Sequence, residues 1–171
     1  YLLPRTDRHQ NEYLPPSEER LEWLSGFTGS SGFAVILAET AAVFTDSRYT
    51  LQIRSEVDGA LFEAHDSAAC PPERWLARQT PAPLTRQRSG RLGYSPWLFT
   101  PAMLERWRNA LKPTGMTLVA LGAEQDPVAK LAAADLPAPV IMPLRLHPLE
   151  YAGQPWQEKV AGLRQELARG K

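Results

Sequence analysis

Apolar positions along the chain fall into short runs, broken by glycine and proline, with two periodicities that alternate. Phe33-Ala34-Val35-Ile36-Leu37 and Ala41-Ala42-Val43-Phe44-Thr45 are largely apolar, and the gap Ala38-Glu39-Thr40 between them predicts a hairpin. Tyr49, Ile53 and Val57 recur at intervals of four, which predicts a helix over 48–57 that Asp58-Gly59 ends. Upstream, Ser17 reads as an N-cap with Glu18 and Glu19 in the first turn of a helix. That helix turns Leu21 and Leu24 inward and stops at Ser25-Gly26. Strands are predicted at 60–65, 91–94 and 116–121, and Tyr1-Leu2-Leu3-Pro4 reads as the end of a strand that begins earlier. A helix opens at Pro71-Pro72 and runs through Trp75 and Leu76 to Gln79, followed by a polar, proline-containing loop over 80–90. Thr100-Pro101 and Asp126-Pro127 each pair a capping residue with proline at the first helical position. The first of these helices carries the stripe Met103, Leu104, Trp107 and Leu111, and the second ends near Ala134.

Strands and helices thus interleave, with one tight hairpin, which predicts an α/β domain with a mixed β-sheet flanked by helices. Five prolines between 135 and 155 mark a semi-rigid linker. Beyond it, Trp156, Val160, Leu163 and Leu167 stand at spacings of four, three and four, an amphipathic helix ending at Gly170. A helix after a linker has nothing of its own to bury against. The expected division is therefore a domain over 1–143, then a linker and the first helix of a following, truncated domain over 144–171.

Composition narrows the classes. Nineteen basic residues balance nineteen acidic ones, so no cationic surplus argues for a nucleic-acid partner. The single cysteine, Cys70, excludes an intramolecular disulfide and a cysteine-rich zinc site, and fits a reducing, cytoplasmic compartment. No apolar run is long enough to span a membrane, and the first residues lack the basic and apolar regions of a signal peptide.

Candidate chemistry is sparse. Gly26 to Gly32 is glycine-spaced, but it lacks a Gly-Lys-Ser/Thr ending and leads into a strand, so a closely packed turn is expected and not a phosphate cradle. Asp46 and Asp58 suggest paired ligands only superficially. His9, His65 and His147 are far apart in sequence and form no metal-binding spacing. Cys70 has no basic neighbour to activate it. Trp75, Trp97 and Trp107 read as core or subunit-contact aromatics.

Five colinear stretches carry a resemblance. They are Leu2-Leu3-Pro4 with His9-Gln10-Asn11-Glu12-Tyr13; Ser25-Gly26-Phe27-Thr28-Gly29-Ser30-Ser31-Gly32; Thr45-Asp46-Ser47-Arg48-Tyr49; Gly93-Tyr94-Ser95-Pro96-Trp97; and His147-Pro148-Leu149-Glu150-Tyr151-Ala152-Gly153. Together they resemble the N-terminal domain of the creatinase-type Xaa-Pro aminopeptidases (aminopeptidase P). Ser47 stands where glycine is more usual, and Ala132-Ala133-Ala134-Asp135-Leu136-Pro137 replaces a Trp-Thr-Asp-Arg-Pro stretch.

The resemblance implies a ribonuclease-H-like creatinase N-terminal fold and a parent metallopeptidase. That enzyme releases the N-terminal residue from peptides with proline in second position. The resemblance also implies two divalent metal ions, manganese, in a separate catalytic domain, and a homodimer. This chain alone is expected to be inactive, with no catalytic residue and no metal ligand. It would shape substrate access and support dimer contacts, with neither nucleic acid nor membrane as partner. One residue, Arg48, is nominated by the resemblance for substrate binding, its guanidinium suited to peptide carbonyls or a carboxylate. Pairing with Asp46 to pin a turn is the other role open to it, and both can hold at once. His9 is read as a hydrogen-bonded loop histidine near the same cleft. Two rivals remain: a stand-alone binding or regulatory domain, and a creatinase or prolidase relative with a different substrate.

Overall fold

The computed structural model describes residues 1–79 and 90–170, so the loop expected at 80–90 lies almost wholly outside the described residues. Six strands form one sheet: β1 (Leu2–Pro4), β2 (Phe33–Ile36), β3 (Ala41–Thr45), β4 (Glu63–Asp66), β5 (Arg91–Tyr94) and β6 (Thr117–Ala120), in the order β4-β3-β2-β1-β5-β6. The expected hairpin is present, with Phe33 opposite Phe44 and Ile36 opposite Ala41. β2 is antiparallel to both neighbours, while the β3–β4, β1–β5 and β5–β6 pairs are parallel. Every strand except β2 therefore runs the same way, and five carboxyl ends share one edge of the sheet.

Leu2 and Leu3 are adjacent in β1 and so point to opposite faces, yet both are fully buried. The sheet is thus covered on both sides, which explains why its central strands read as unbroken apolar runs. On the face carrying Phe33 and Phe44 lie α3 (Pro72–Gln79) and α4 (Pro101–Leu111), packed against each other. Phe33 stacks on Trp107 with ring centroids 5.5 Å apart, and Phe44 meets Trp75 edge-on at 5.9 Å. A second pair of helices, α1 (Arg20–Ser25) and α5 (Pro127–Ala132), pack together, with α1 against β1. α2 (Gln52–Glu56) buries Ile53 and is followed by the buried Val57, as the interval of four predicted.

Both predicted caps form. The Thr100 hydroxyl accepts from Met103 N–H, and Asp126 Oδ1 accepts from the N–H groups of Val128 and Ala129. Ser17 behaves differently: it lies in a 3₁₀ turn, Pro16–Glu18, and makes no capping bond. Glu19 then leaves the helical region (φ −74°, ψ 52°) with its carboxylate bonded to Arg5, so α1 begins only at Arg20. The strand expected over 60–65 is shorter and later, because the Asp58 carbonyl draws Leu61 and Phe62 N–H into a turn.

Contacts divide the chain into Tyr1–Pro139 and Val140–Lys171. Within the second unit, the proline-rich segment contains one helical turn, α6 (Leu149–Ala152), before α7 (Trp156–Arg169). Trp156, Leu163 and Leu167 are all exposed on α7.

Candidate functional site

In open α/β sheets, ligands are met beyond the carboxyl ends of the parallel strands. Here that edge collects the loop after β1, the turn after β3 and the turn after β5. The sharpest chemistry lies after β3. Asp46 caps a 3₁₀ turn, Ser47–Tyr49, by accepting the Arg48 N–H. The same carboxylate receives the Arg48 side chain in a fork: Nε donates to Oδ1 at 3.0 Å and Nη2 to Oδ2 at 2.8 Å. The hydrogen bonds from Arg48 hold the Asp46 pKa down to about 2, against a smaller opposing effect of burial, and Arg48 is correspondingly raised. The pairing role left open for Arg48 is therefore formed. The Arg48 side chain is 60% exposed. Its Nη1 has no partner among the described residues, so one flank of a fixed cation faces solvent with donors to spare.

Tyr49 lies beneath this cation, with Arg48 Cζ 5.1 Å from the ring centroid. The Tyr49 hydroxyl is 2.7 Å from Ser30 Oγ, and the ring meets Phe27 edge-on at 6.1 Å. Phe27 is fully buried and fills the glycine-spaced loop: a Cβ on Gly29 would come within 2.3 Å of its ring. The glycines are thus explained by close packing, and the loop leads into β2 as expected.

The loop after β1 is more ordered than a polar stretch suggests. Asp7 is only 3% exposed and accepts N–H groups from His9 (2.9 Å) and Asn11 (3.0 Å), with the Asn11 side-chain amide at 2.8 Å. Burial raises its pKa, but the bonds from Asn11 and His9 outweigh it, and Asp7 titrates below the usual range. Gln10, with φ 58°, takes the left-handed conformation at the tip. Arg5 ties this loop to its neighbours, donating to the carbonyls of Glu12 and Ser30 and to the Glu19 carboxylate. Glu12 in turn adds a weaker pull on Arg48. Neither Arg5 nor Asp7 was singled out from the sequence. The only local sign was Asp7 two residues before His9, the spacing of an aspartate that bonds its own backbone.

The remaining candidates scatter. His9 is exposed, and its backbone N–H is held by Asp7. His65 pairs with Glu63 at 2.9 Å and stacks on Phe44, while His147 lies in the second unit beside Tyr151. Asp58 caps a turn at Ala60 N–H instead of joining Asp46. Cys70 is half-buried, its N–H bonded to the Asp66 carbonyl. Trp75 and Trp107 are core residues, whereas Trp97 is 71% exposed on the carboxyl edge, with Arg8 Cζ 6.0 Å from its ring. No group of three or more His, Cys, Asp or Glu among the described residues is arranged to hold a metal ion. The described residues thus do not fit a divalent-metal centre.

Known proteins align with this arrangement. The chain is 37% identical over 174 residues to a probable Xaa-Pro aminopeptidase P of Aspergillus niger, covering 100% of this chain and 27% of that protein. It is 34% identical over 179 residues to Xaa-Pro aminopeptidase 2 of Homo sapiens, covering 99% of this chain and 24% of that protein. The crystal structure of X-prolyl aminopeptidase from Caenorhabditis elegans, described as a cytosolic enzyme with a di-nuclear active site, superposes with a TM-score of 0.81 at 28% identity. The match covers 99% of this chain and 27% of that one, so the chain spans about a quarter of the relatives' length. Residues 11–126 match the family model of the creatinase/prolidase N-terminal domain. With this fold and that match over most of its length, the chain belongs to the creatinase/prolidase N-terminal domain family.

Proposed function

We propose that this chain is the non-catalytic N-terminal domain of a metal-dependent Xaa-Pro aminopeptidase, and that Arg48 contacts the peptide substrate. The parent enzyme releases the N-terminal residue from peptides with proline in second position. The observation that carries the reading is the exposed guanidinium of Arg48. It is held by Asp46 and Tyr49 on the carboxyl edge, in a chain similar along its whole length to Xaa-Pro aminopeptidases. A cation fixed on one flank loses little freedom when its other flank takes a peptide carbonyl or carboxylate. The water-activating metals, two manganese ions, belong to polypeptide beyond this chain. The di-nuclear active site of the C. elegans relative supports a pair of metal ions in the complete enzyme, and its cytosolic description supports a cytoplasmic location. No helix among the described residues is long and apolar enough to cross a membrane.

The assignment includes residues 144–171 as a linker and the first helix of the next domain. Trp156, Leu163 and Leu167 are exposed on α7, and burying each is worth on the order of 1.5–3 kcal/mol. A following domain is the cover that fits. Homodimer contacts are assigned to the first domain, with the exposed Trp97 as the aromatic suited to them.

Arg48→Ala in the complete enzyme tests the substrate role. A lost charged hydrogen bond lowers kcat/KM on an Xaa-Pro tripeptide by roughly tenfold to a hundredfold. Wild-type kinetics in that variant would remove Arg48 from the substrate site. Turnover of creatine in place of the tripeptide would remove the aminopeptidase reading itself.

A further inference from the structure

Arg5 is charged, its side chain is 8% exposed, and the function just proposed makes no use of it. Its ion pair with Glu19 is poorly built for stability. Nη2 reaches Oε1 at 2.7 Å, but Arg5 Nε and Glu19 Oε2, the other half of a possible fork, are buried without partners. Buried pairs recover their desolvation cost only when the geometry is good and the remaining polar atoms are satisfied. An apolar pair of similar volume would hold β1 to α1 at least as well, so the use of Arg5 is to be sought in its other bonds.

Those bonds go to two loops. Nη1 donates to the Glu12 carbonyl at 2.9 Å and to the Ser30 carbonyl at 3.2 Å. Ser30 Oγ meets the Tyr49 hydroxyl at 2.7 Å, and the Tyr49 ring lies under the Arg48 guanidinium. Arg5 is therefore joined to Arg48 through Ser30 and Tyr49, and it ties the Glu12 loop to the same junction. Removing it frees both loops at once, while leaving the Asp46 fork in place.

We propose that Arg5 is a positioning residue for Arg48, setting the exposed flank of that guanidinium through the Ser30 carbonyl and the Tyr49 ring. The claim rests on the substrate role proposed for Arg48. It is tested by steady-state kinetics of the complete enzyme on an Xaa-Pro tripeptide, with Arg5→Lys, Tyr49→Phe and Arg48→Ala singly and combined. Lysine keeps the charge beside Glu19, but one ammonium on a flexible stem does not reproduce the planar fork of donors. Phenylalanine keeps the ring under Arg48 and removes only the link to Ser30. Arg5→Lys and Tyr49→Phe are each expected to lower kcat/KM about five- to tenfold, mainly through KM, and to have no further effect in the Arg48→Ala background. Equal losses with and without Arg48, or no loss from either change, would overturn the proposal.

An Arg48→Ala variant with wild-type kinetics would instead sink the substrate reading, and the positioning claim is then decided by the crystal structure of Arg5→Lys. A Tyr49 hydroxyl still 2.7 Å from Ser30 Oγ, with the Glu12 backbone unmoved, counts against it. Loss of that contact bears it out.

Discussion

Asp46 has its proton equilibrium set chiefly by Arg48, whose hydrogen bonds outweigh burial. Its pKa is held at about 2 by the Arg48 bonds, below the ordinary 3.8. A carboxylate lowered on folding contributes stability above its unfolded pKa and loses it as pH falls through the folded one. The stability that Asp46 contributes is therefore fully present from neutral pH to about 4, and the fork to Arg48 is half lost at about pH 2. Carboxyl-carbon NMR titration of Asp46 should show a midpoint near 2, and a midpoint close to 3.8 would mean the fork is not formed in solution. Asp7 is lowered too, by its bonds from Asn11 and His9, so the loop it organises should loosen once acid protonates it. Thr45-Asp46-Ser47-Arg48-Tyr49 was legible at this scale because a capping aspartate and its arginine are two residues apart. Arg5 was not, since a charged residue beside a strand end reads as solvated until its partners, up to 25 residues away, are placed around it.

At the scale of elements, local chemistry decided the helices that carry their own caps. Thr100 and Asp126 each bond the N–H groups that a helix start leaves unpaired, and both helices begin where the sequence places them. Thr100→Ala should cost about 1 kcal/mol in chemical denaturation with an unchanged slope. A cost near zero would show α4 held by the Trp107 and Leu111 packing alone. α1 shows the opposite case. Ser17 and Glu18-Glu19 looked like a start, but the Glu19 carboxylate is taken by Arg5, and the backbone follows it out of helical geometry.

Across the whole molecule, the direction of the strands matters more than any one contact. Because β2 alone is antiparallel, the loops after β1, β3 and β5 converge on one edge, and residues far apart in sequence become neighbours of Arg48. The same topology brings no set of metal-binding side chains together among the described residues. Purified chain 1–171 titrated with manganese in a calorimeter should give no stoichiometric binding heat, and should release no N-terminal residue from an Xaa-Pro peptide. Either a one-to-one isotherm or measurable release would contradict the division of labour proposed here.

Element types, most of their limits and the family motifs follow from the sequence alone. Their physical basis is local: short apolar runs bounded by turn residues mark strands covered on both faces, intervals of three and four mark helix faces, and a side chain two or three residues away caps a turn. The order of the strands, the shared carboxyl edge and the burial of Arg5 and Asp7 belong to the tertiary structure. Each depends on chain segments meeting across the fold, where desolvation makes a charged group stay only beside a partner that periodicity cannot name.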